Sequence, residues 1–515
     1  MPASTNWFDA VAGKRDAQPQ QFGDLDFSAA TFDKHDGLLW VVRGDKLGLA
    51  RQRIVFEAQL ERCRDDAAEP TFTALLPPEC TAIPLDGRNS GLPGGNTHIS
   101  RGLLISSPPM TPHTALDRFT PADPSFIANP YPVYAELRAA GPIHYDARTD
   151  HWLVTRHADV SALLRDRRFG RTYLHTATHA EMERAPEPAE QAPFWRLIRD
   201  GLLDREPPDH TRLRSLVSKA FTPLRIEGMR ASIQQIVDGL IDEALEHADF
   251  DLLGAVIEPL PVTVIAELLG IPEADRALLR PWSSEICLMY ELNPSEDYAR
   301  RAVRASVEFD DYLRELARVR RAQPGDDLIS ALTQVVDAGE RLTEDELVGT
   351  CVLLLNAGHE ASVNGAGNGW WALFRHPGQL SRLRADHSLV PRAVEELLRF
   401  DSPLHLFERW VLEDSEICGV QVPKGAELGL LFGSANRDPV VFDAPDMLDL
   451  ARDPNPHVSF GAGIHFCLGA PLARLELQVA FETMLRRMPR LELTAEPEWK
   501  PTYILRGLRE LRVRA

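Results

Sequence analysis

The residue with the clearest chemical potential is Cys467, which lies in a glycine-rich segment just before a helical pattern. The segment reads Phe460-Gly-Ala-Gly-Ile-His-Phe-Cys467-Leu-Gly469 and is followed by APLARLELQVAFETML. Its glycines allow the backbone to turn tightly and to approach a flat ligand without side-chain obstruction. A cysteine before a helix start meets free N–H groups and the positive end of the helix dipole, which favour the thiolate. The segment therefore predicts a metal-binding sulfur, and the alternative is a buried cysteine in a glycine-rich turn.

Two further pairs of charged side chains have helical spacing. His210 and Arg214 are four residues apart in DREPPDHTRLRSLVSKAFTP, so a helix would place them on one face, where they could bind an anion. A solvated helix face is the alternative interpretation of that pair. Glu396 and Arg399 in AVEELLRFDSP are three residues apart and would also share a face, where an exposed pair stabilises a helix by only about 0.2–0.5 kcal/mol.

The spaced pattern around Cys467 resembles the haem-binding loop of the cytochromes P450, and the resemblance extends over about residues 117–515. It implies a mainly α fold with minor β structure, in which the haem lies between an oxygen-binding helix and the cysteine loop. Cys467 would then be the iron ligand, and haem b (iron protoporphyrin IX) would be the cofactor. In this family the thiolate pushes electron density towards the iron and favours O–O cleavage.

The resemblance also assigns roles around the haem. His210, Arg214, Arg409 and His465 match the groups that contact the two haem propionates, and paired cationic donors both neutralise and orient such carboxylates. Phe460 matches the aromatic residue packed beside the thiolate. The N–H groups near Leu468 and Gly469 would tune the electron donation of the sulfur.

The Glu396–Arg399 pair matches a buried structural pair of the family that holds the segment known as the meander. Within that segment, PDMLDLARD has Met447-Leu448 where many bacterial members have Arg-Phe. One arginine of the network is thereby removed, and local repacking without loss of haem is expected.

The segment LLLNAGHEASVNGAG resembles the oxygen-binding helix of the family, with one departure. Gly358 and Glu360 fit the pattern, and Gly358 would permit a local opening of the helix. Ala361 occupies the position of a threonine that helps to deliver protons to bound dioxygen. Ser362 could substitute for it, a substrate hydroxyl with ordered water could do so, or peroxide could be the better oxidant. Glu360 could serve the proton path or form a structural ion pair.

The resemblance implies a monooxygenase that inserts one oxygen atom from O2 into an apolar organic small molecule. No flavin- or nicotinamide-binding segment follows Cys467, so electrons are expected from a separate ferredoxin or flavodoxin with its reductase. Arg212, Lys219 and Arg474 could form a basic docking patch for that partner, with scattered surface charge as the alternative. The alternatives to a monooxygenase are a peroxide-driven peroxygenase and a non-enzymatic haem sensor or carrier.

Composition sets limits on these functions. The 515 residues carry a formal net charge of -20, which argues against general affinity for nucleic acid. The six cysteines have no C-x-x-C spacing, so they predict neither a zinc nor an iron–sulfur cluster, and they suit a reducing compartment. No apolar run is long enough for a membrane span or a secretory signal. A cytoplasmic protein is therefore predicted.

The elements that must position these residues divide the chain unequally. Most segments after residue 119 have helical periodicity, whereas IHYDARTDHWLVT predicts two strands joined by a polar turn. Residues 1–116 are predicted to be an N-terminal extension, partly linker, of unknown function, and 117–515 a haem domain. Within the extension GLLWVV predicts a strand and LARQRIVFEAQLER a helix, and translation starting at Met110 is an alternative.

Overall fold

The computed structural model describes residues 27–33, 38–43, 55–57, 114–336 and 339–515. The chain divides into two units, residues 1–112 and 113–515, with the division a few residues before the predicted one. Residues 58–113 of the predicted extension, which is expected to be partly linker, lie outside the described residues.

The described part of the first unit consists of three antiparallel strands in the order β1-β2-β3. They are β1 (Phe27–Asp33), β2 (Leu38–Arg43) and β3 (Val55–Glu57). The strand predicted from GLLWVV is present as β2. The predicted helix over LARQRIVFEAQLER is wrong at Val55–Glu57, which pairs with β2 in the register Leu38↔Glu57. Valine and phenylalanine favour strands, and pairing with a neighbouring strand outweighs the weak helical periodicity.

The second unit is mainly helical with minor sheet, which confirms the predicted fold class. Its α-helices are α1 (Pro124–Ala128), α2 (Tyr131–Ala140), α3 (His157–Leu163), α4 (Ala192–Asp200), α5 (Asp209–Ala220), α6 (Pro223–Gly228), α7 (Arg230–Ala244), α8 (Pro259–Leu269), α9 (Arg276–Cys287), α10 (Glu296–Ala322), α11 (Leu328–Gln334), α12 (Glu344–Arg375), α13 (Pro377–Ala385), α14 (Val390–Phe400), α15 (Phe432–Ala435) and α16 (Ala470–Arg487).

The strands of this unit form three sheets. They are β4 (Ile143–Asp146), β5 (His151–Val154), β6 (Phe169–Gly170), β7 (Asp249–Asp251), β8 (Leu406–Val411), β9 (Ser415–Ile417), β10 (Val420–Val422), β11 (Glu427–Leu431), β12 (Glu492–Leu493) and β13 (Arg512–Arg514). The largest sheet has the order β4-β5-β11-β8-β6, and the others are β9-β10 and β12-β13-β7. The two strands predicted from IHYDARTDHWLVT are β4 and β5.

The long helix α12 crosses the centre of the unit and is buried along most of its length. A capping box fixes its start: Thr343 Oγ1 accepts from the Glu346 N–H at 3.1 Å, and Glu346 Oε2 accepts from the Thr343 N–H at 2.8 Å. Towards its other end, Trp370 stacks on Phe481 of α16 with ring centroids 5.3 Å apart. The helix that carries the predicted oxygen-binding residues is therefore packed directly against the helix that follows Cys467.

Candidate active site

The loop that carries Cys467 turns through two glycines with positive φ. Gly461 has φ 67° and Gly463 has φ 70°, a region that other residues rarely adopt. A Cβ atom at Gly463 would lie only 2.3 Å from the backbone oxygen of Leu164, so the loop also packs too closely for any side chain there. The Cys467 N–H then donates to the Phe460 carbonyl at 3.0 Å, which closes the loop just before α16.

Two opposing effects act on the Cys467 thiol. Burial raises the pKa of the thiol, whereas the N–H groups of Gly469 and Ala470 and the guanidinium of Arg214 act to lower it. The N–H groups at the helix start therefore lower the pKa of Cys467 as predicted, but in the protein without a metal, burial raises it by more. A coordinated metal deprotonates a thiol outright, so a bound iron would reverse this balance and the N–H groups would then stabilise the thiolate.

The four predicted propionate ligands lie around this loop. His210 and His465 have ring centroids 4.3 Å apart, although they are 255 positions apart in the sequence. Arg214 donates from Nη2 to the Phe466 carbonyl at 2.7 Å, which ties α5 to the cysteine loop. Arg409, on β8, is almost fully buried. The structure therefore brings together three segments that sequence spacing alone could not relate.

The donors of this cluster are not all satisfied by the protein. Within the described residues, His210 Nε2 and Arg409 Nη2 are buried and have no hydrogen-bond partner. Burial and the neighbouring Arg171 guanidinium lower the pKa of Arg409 to about 9. A buried cation with an unused donor is strongly destabilising unless an anion compensates it. The residues therefore fit a group that carries carboxylates to this place, as the haem propionates would.

Glu206 is a member of this cluster that the sequence interpretation missed. Its Oε1 atom lies 3.3 Å from His465 Nε2 and accepts the Arg171 N–H at 2.6 Å. Burial raises the pKa of Glu206, but those hydrogen bonds together with the Arg409 charge hold it below its ordinary value. Glu206 is thus an ionised carboxylate that orients His465. It lies in the DREPPDH segment already singled out for His210, but its partners are too distant in sequence to be inferred.

The Glu396–Arg399 pair is fully buried and holds the segment before the cysteine loop. Arg399 binds both carboxylate oxygens of Glu396, at 2.7 and 2.8 Å, and donates to the carbonyls of Asn436 and Pro445 at 2.9 Å. Arg452 completes the network, because its Nε atom lies 3.0 Å from Glu396 Oε2. Sequence reasoning noted an arginine missing at Met447-Leu448 but did not identify Arg452.

The distal residues lie on α12, which is continuous through Gly358. Glu360 is buried; its Oε1 atom accepts from Ser284 at 2.8 Å, and its Oε2 atom pairs with Lys500 Nζ at 3.0 Å. Burial raises the pKa of Glu360, but Lys500 and His359 hold it below its ordinary value. Both oxygens of the carboxylate therefore have protein partners. This arrangement corresponds to the second possibility given for Glu360, a structural ion pair. A role in proton delivery stays a prediction.

Ala361 and Ser362 follow on the same helix and are half-buried. The methyl group of Ala361 supplies no hydrogen-bond donor. Ser362 lines a small cavity between α12 and α16 together with Glu476, whose pKa burial raises well above its usual range. The hydroxyl of Ser362, the residue after Ala361, therefore lines the same cavity as a buried carboxyl group with a raised pKa.

The predicted docking patch is less positive than its sequence indicates. Arg474 binds both oxygens of Glu395, at 2.7 and 2.8 Å, and its guanidinium lies over the Phe460 ring at 4.4 Å. Arg212 pairs with Glu346 at the start of α12. Each of these two arginines is paired with a carboxylate, so the net positive charge of the patch is smaller than expected. Its role in docking a redox partner stays a prediction.

Comparison with known proteins agrees with this geometry. The family model for cytochrome P450 matches residues 279–503. The chain is 40% identical over 405 residues to the polyketide biosynthesis cytochrome P450 PksS of Bacillus subtilis, covering 77% of this chain and 98% of that protein. It is 40% identical over 421 residues to the cytochrome P450 monooxygenase PikC of Streptomyces venezuelae, covering 79% and 95%.

Solved structures give the same result. The structure of P450BioI in complex with an acyl carrier protein ligated to hexadec-9Z-enoic acid matches with a TM-score of 0.71 at 38% identity, covering 76% of this chain and 99% of that one. The chain belongs to the cytochrome P450 family. It is an enzyme of that class, an oxidoreductase with a haem cofactor. Among the described residues, no helix combines the length and apolar character needed to cross a membrane.

Proposed function

We propose that the chain is a monooxygenase that inserts one oxygen atom from O2 into an apolar organic small molecule, using electrons from a separate ferredoxin or flavodoxin and its reductase. The observation that carries the proposal is the convergence of Cys467 with the unsatisfied donors of His210 and Arg409. Two histidines and two arginines match the two propionates of haem b, which we propose as the cofactor. When bound, haem supplies the redox chemistry that activates oxygen.

The remaining roles belong to this chain's residues. Cys467 would bind the iron, with its sulfur held by the N–H groups of Gly469 and Ala470. The Arg409 and Arg214 guanidinium groups would neutralise the propionates, His210 and His465 would orient them, and Glu206 would fix His465. The Glu360 carboxylate, which lies on α12 and is paired with Lys500, would order water and direct protons.

An apolar substrate is consistent with what the relatives bind. Related structures are complexes with hexadec-9Z-enoic acid on an acyl carrier protein, with myristic acid and with testosterone. These ligands share a large apolar surface and few polar groups. We propose the same class for this chain, without a particular member of it.

Ala361 supports a second candidate, a peroxide-driven peroxygenase, because alanine cannot help to deliver protons to dioxygen. The test is to supply the haem-loaded chain either with a reduced nicotinamide, a surrogate ferredoxin and its reductase, or with hydrogen peroxide alone, and to measure oxygenated product from a fatty acid panel. Product formed with the reductase system supports the monooxygenase. Product formed only with peroxide supports the peroxygenase, and no product in either case contradicts both.

Two variants separate the explanations for the missing threonine. If the threonine position limits proton delivery, Ala361→Thr raises the ratio of product formed to nicotinamide consumed. If Ser362 already substitutes, Ser362→Ala lowers that ratio and Ala361→Thr changes it little. If a substrate hydroxyl substitutes, neither variant changes the ratio for the hydroxyl-bearing substrate.

A further inference from the structure

A second cluster of potential ligands lies on the five-stranded sheet and is unrelated to haem binding. His151 on β5, Glu427 on β11 and Glu408 on β8 each offer one ligand atom, and these atoms all lie within 4.8 Å of one another. The register places His151 opposite Glu427, and Glu408 is two residues from Trp410, the other partner of Glu427. Side chains alternate along a strand, so all three point to one face and Arg409 points to the other.

The imidazole of His151 is prepared to act as a ligand. Its Nδ1 atom lies 2.5 Å from the Thr149 carbonyl oxygen, and a carbonyl can only accept, so Nδ1 carries the proton. The Nε2 atom is therefore a lone-pair acceptor. It is buried, it has no hydrogen-bond partner, and the His151 side chain is only 9% exposed. Metal-binding histidines have this arrangement, in which the second nitrogen donates to a carbonyl and fixes the ring.

The carboxylates face that lone pair at distances near those of a metal site. His151 Nε2 lies 3.7 Å from Glu427 Oε2 and 3.9 Å from Glu408 Oε1. Two atoms bound to one zinc ion at about 2.0–2.1 Å cannot be more than about 4.2 Å apart. Both distances from His151 satisfy that limit, and the oxygen atoms of Glu408 and Glu427 lie within 4.8 Å of each other.

The acidic groups around the His151 cluster outnumber the arginines beside them. Arg171 lies 3.8 Å from Glu408 but is shared with Asp204 at 3.0 Å. Arg184 pairs with Asp150. Four carboxyl groups thus lie near two guanidinium groups, so arginine does not compensate all of the acidic groups around His151. Burial, reinforced by the neighbouring Glu408 carboxylate, raises the pKa of Glu427 to about 8.

We propose that His151, Glu408 and Glu427 form a structural site for a divalent transition-metal cation, of which Zn²⁺ is the probe of choice. One imidazole and two carboxylates suit zinc, and a water molecule would complete a tetrahedral shell. The ion would join the three central strands of the sheet on the face opposite Arg409. Its role would be to fix β8, which carries that haem ligand, and it would take no part in the oxidation.

The test uses the haem-loaded full-length chain without an affinity tag, treated with a chelator and titrated with ZnCl2 by calorimetry. Iron is measured in parallel to verify that haem is retained. We expect one saturable zinc site per chain. His151→Gln and Glu427→Gln each weaken that site at least tenfold, whereas the control His179→Gln, whose imidazole has the single carboxylate Glu187 at 3.4 Å, leaves it unchanged.

Thermal unfolding gives a second readout. Saturating zinc raises Tm of the wild-type chain and of His179→Gln, and it leaves Tm of the two ligand variants unchanged. If one ligand variant fails to fold, the other decides. Zinc that binds equally to wild type and to both ligand variants would place the ion elsewhere and overturn the proposal, as would the absence of saturable binding to the wild type.

Discussion

At the scale of single residues, the environment of Cys467 differs from that of the other described cysteines. Cys287 and Cys351 are buried, and burial raises the pKa of both thiols. Cys418 is exposed and belongs to the turn between β9 and β10. Around Cys467, by contrast, backbone N–H groups and Arg214 oppose the effect of burial. This environment suits a sulfur that must carry negative charge when a metal is bound.

Replacing Cys467, the proposed iron ligand, gives the most direct residue-scale prediction. Cys467→Ser removes the thiolate and leaves a hydroxyl of similar size, so the reduced chain with carbon monoxide loses the red-shifted Soret band. Cys418→Ser is the matched control and retains the band, because Cys418 is exposed in a turn. A red-shifted band in Cys467→Ser would contradict the assignment of the ligand.

A second residue-scale prediction concerns acid stability. Burial opposes the ionisation of Glu395, but hydrogen bonds from His457 and Arg474 outweigh it and lower its pKa from 4.5 to about 2. A depressed pKa means that the ionised group stabilises the folded state above pH 4.5, and this stabilisation is lost as the pH falls towards 2. At neutral pH, Glu395→Gln is expected to lower the free energy of unfolding by about 2–3 kcal/mol.

The measurement is denaturant unfolding of wild type and Glu395→Gln at neutral pH and at a pH midway between the two pKa values. The difference between the chains should shrink at the lower pH. Glu482→Gln, at an exposed position on α16, controls for the loss of one surface charge. If the difference in the free energy of unfolding between the two chains does not depend on pH, the charge of Glu395 does not stabilise the folded state.

At the scale of elements, the segment of residues 436–459, between α15 and the cysteine loop, contains no helix or strand and is held by buried charges. The carbonyls of Asn436, Pro445 and Met447 all accept from Arg399. Because Glu396 is also bound by Arg452, removal of either arginine leaves a buried carboxylate only partly compensated. The loop that presents Cys467 follows directly, so its position depends on this network.

Arg452→Ala therefore tests the contribution of Arg452 to the buried network, which the sequence did not predict. We expect the free energy of unfolding to fall by about 1–3 kcal/mol, because the buried Glu396 carboxylate loses hydrogen bonds. Thermal loss of the Soret band should shift to lower temperature. Arg392→Ala removes an exposed partner of Asp453, at 3.2 Å, and should cost less than about 1 kcal/mol. Equal shifts in the two variants would mean that Arg452 adds nothing beyond a surface ion pair.

The sequence predicted local features well and long-range partners poorly. The cysteine loop, the His210–Arg214 face and the Glu396–Arg399 pair are encoded by spacings of a few residues. Lys500, the partner of Glu360, lies 140 positions away, and no local pattern reports such a contact. The predicted helix over Val55–Glu57 failed for a related reason, because a strand is stabilised by its neighbour and not by its own periodicity.

At the scale of the whole molecule, the relatives correspond to the second unit. PksS matches over 98% of its own length but only 77% of this chain. The proposed ligands of haem, from His210 to Cys467, all belong to residues 113–515. The described residues that we propose as haem contacts therefore all come from the second unit.

A chain beginning at Met110 should accordingly show the same red-shifted carbon-monoxide band as the full-length chain, with equal haem content per polypeptide. The comparison is made by reduced difference spectra at matched protein concentration. If only the full-length chain gives the band, the first unit takes part in folding of the haem unit. If neither gives it, Cys467 is not a competent ligand in these preparations.

The strand order of the large sheet also determines when the protein can fold during synthesis. Leu153 pairs with Gly429, and Val154 pairs with Leu430, so both central contacts span more than half of the chain. Contacts of such sequence separation form late, and until then β5 has only the neighbouring strand β4 as a partner. The ribosome must release almost the entire polypeptide before Cys467 can meet His210. Insertion of haem is thus a final step, and nascent chains are exposed to aggregation until it is complete.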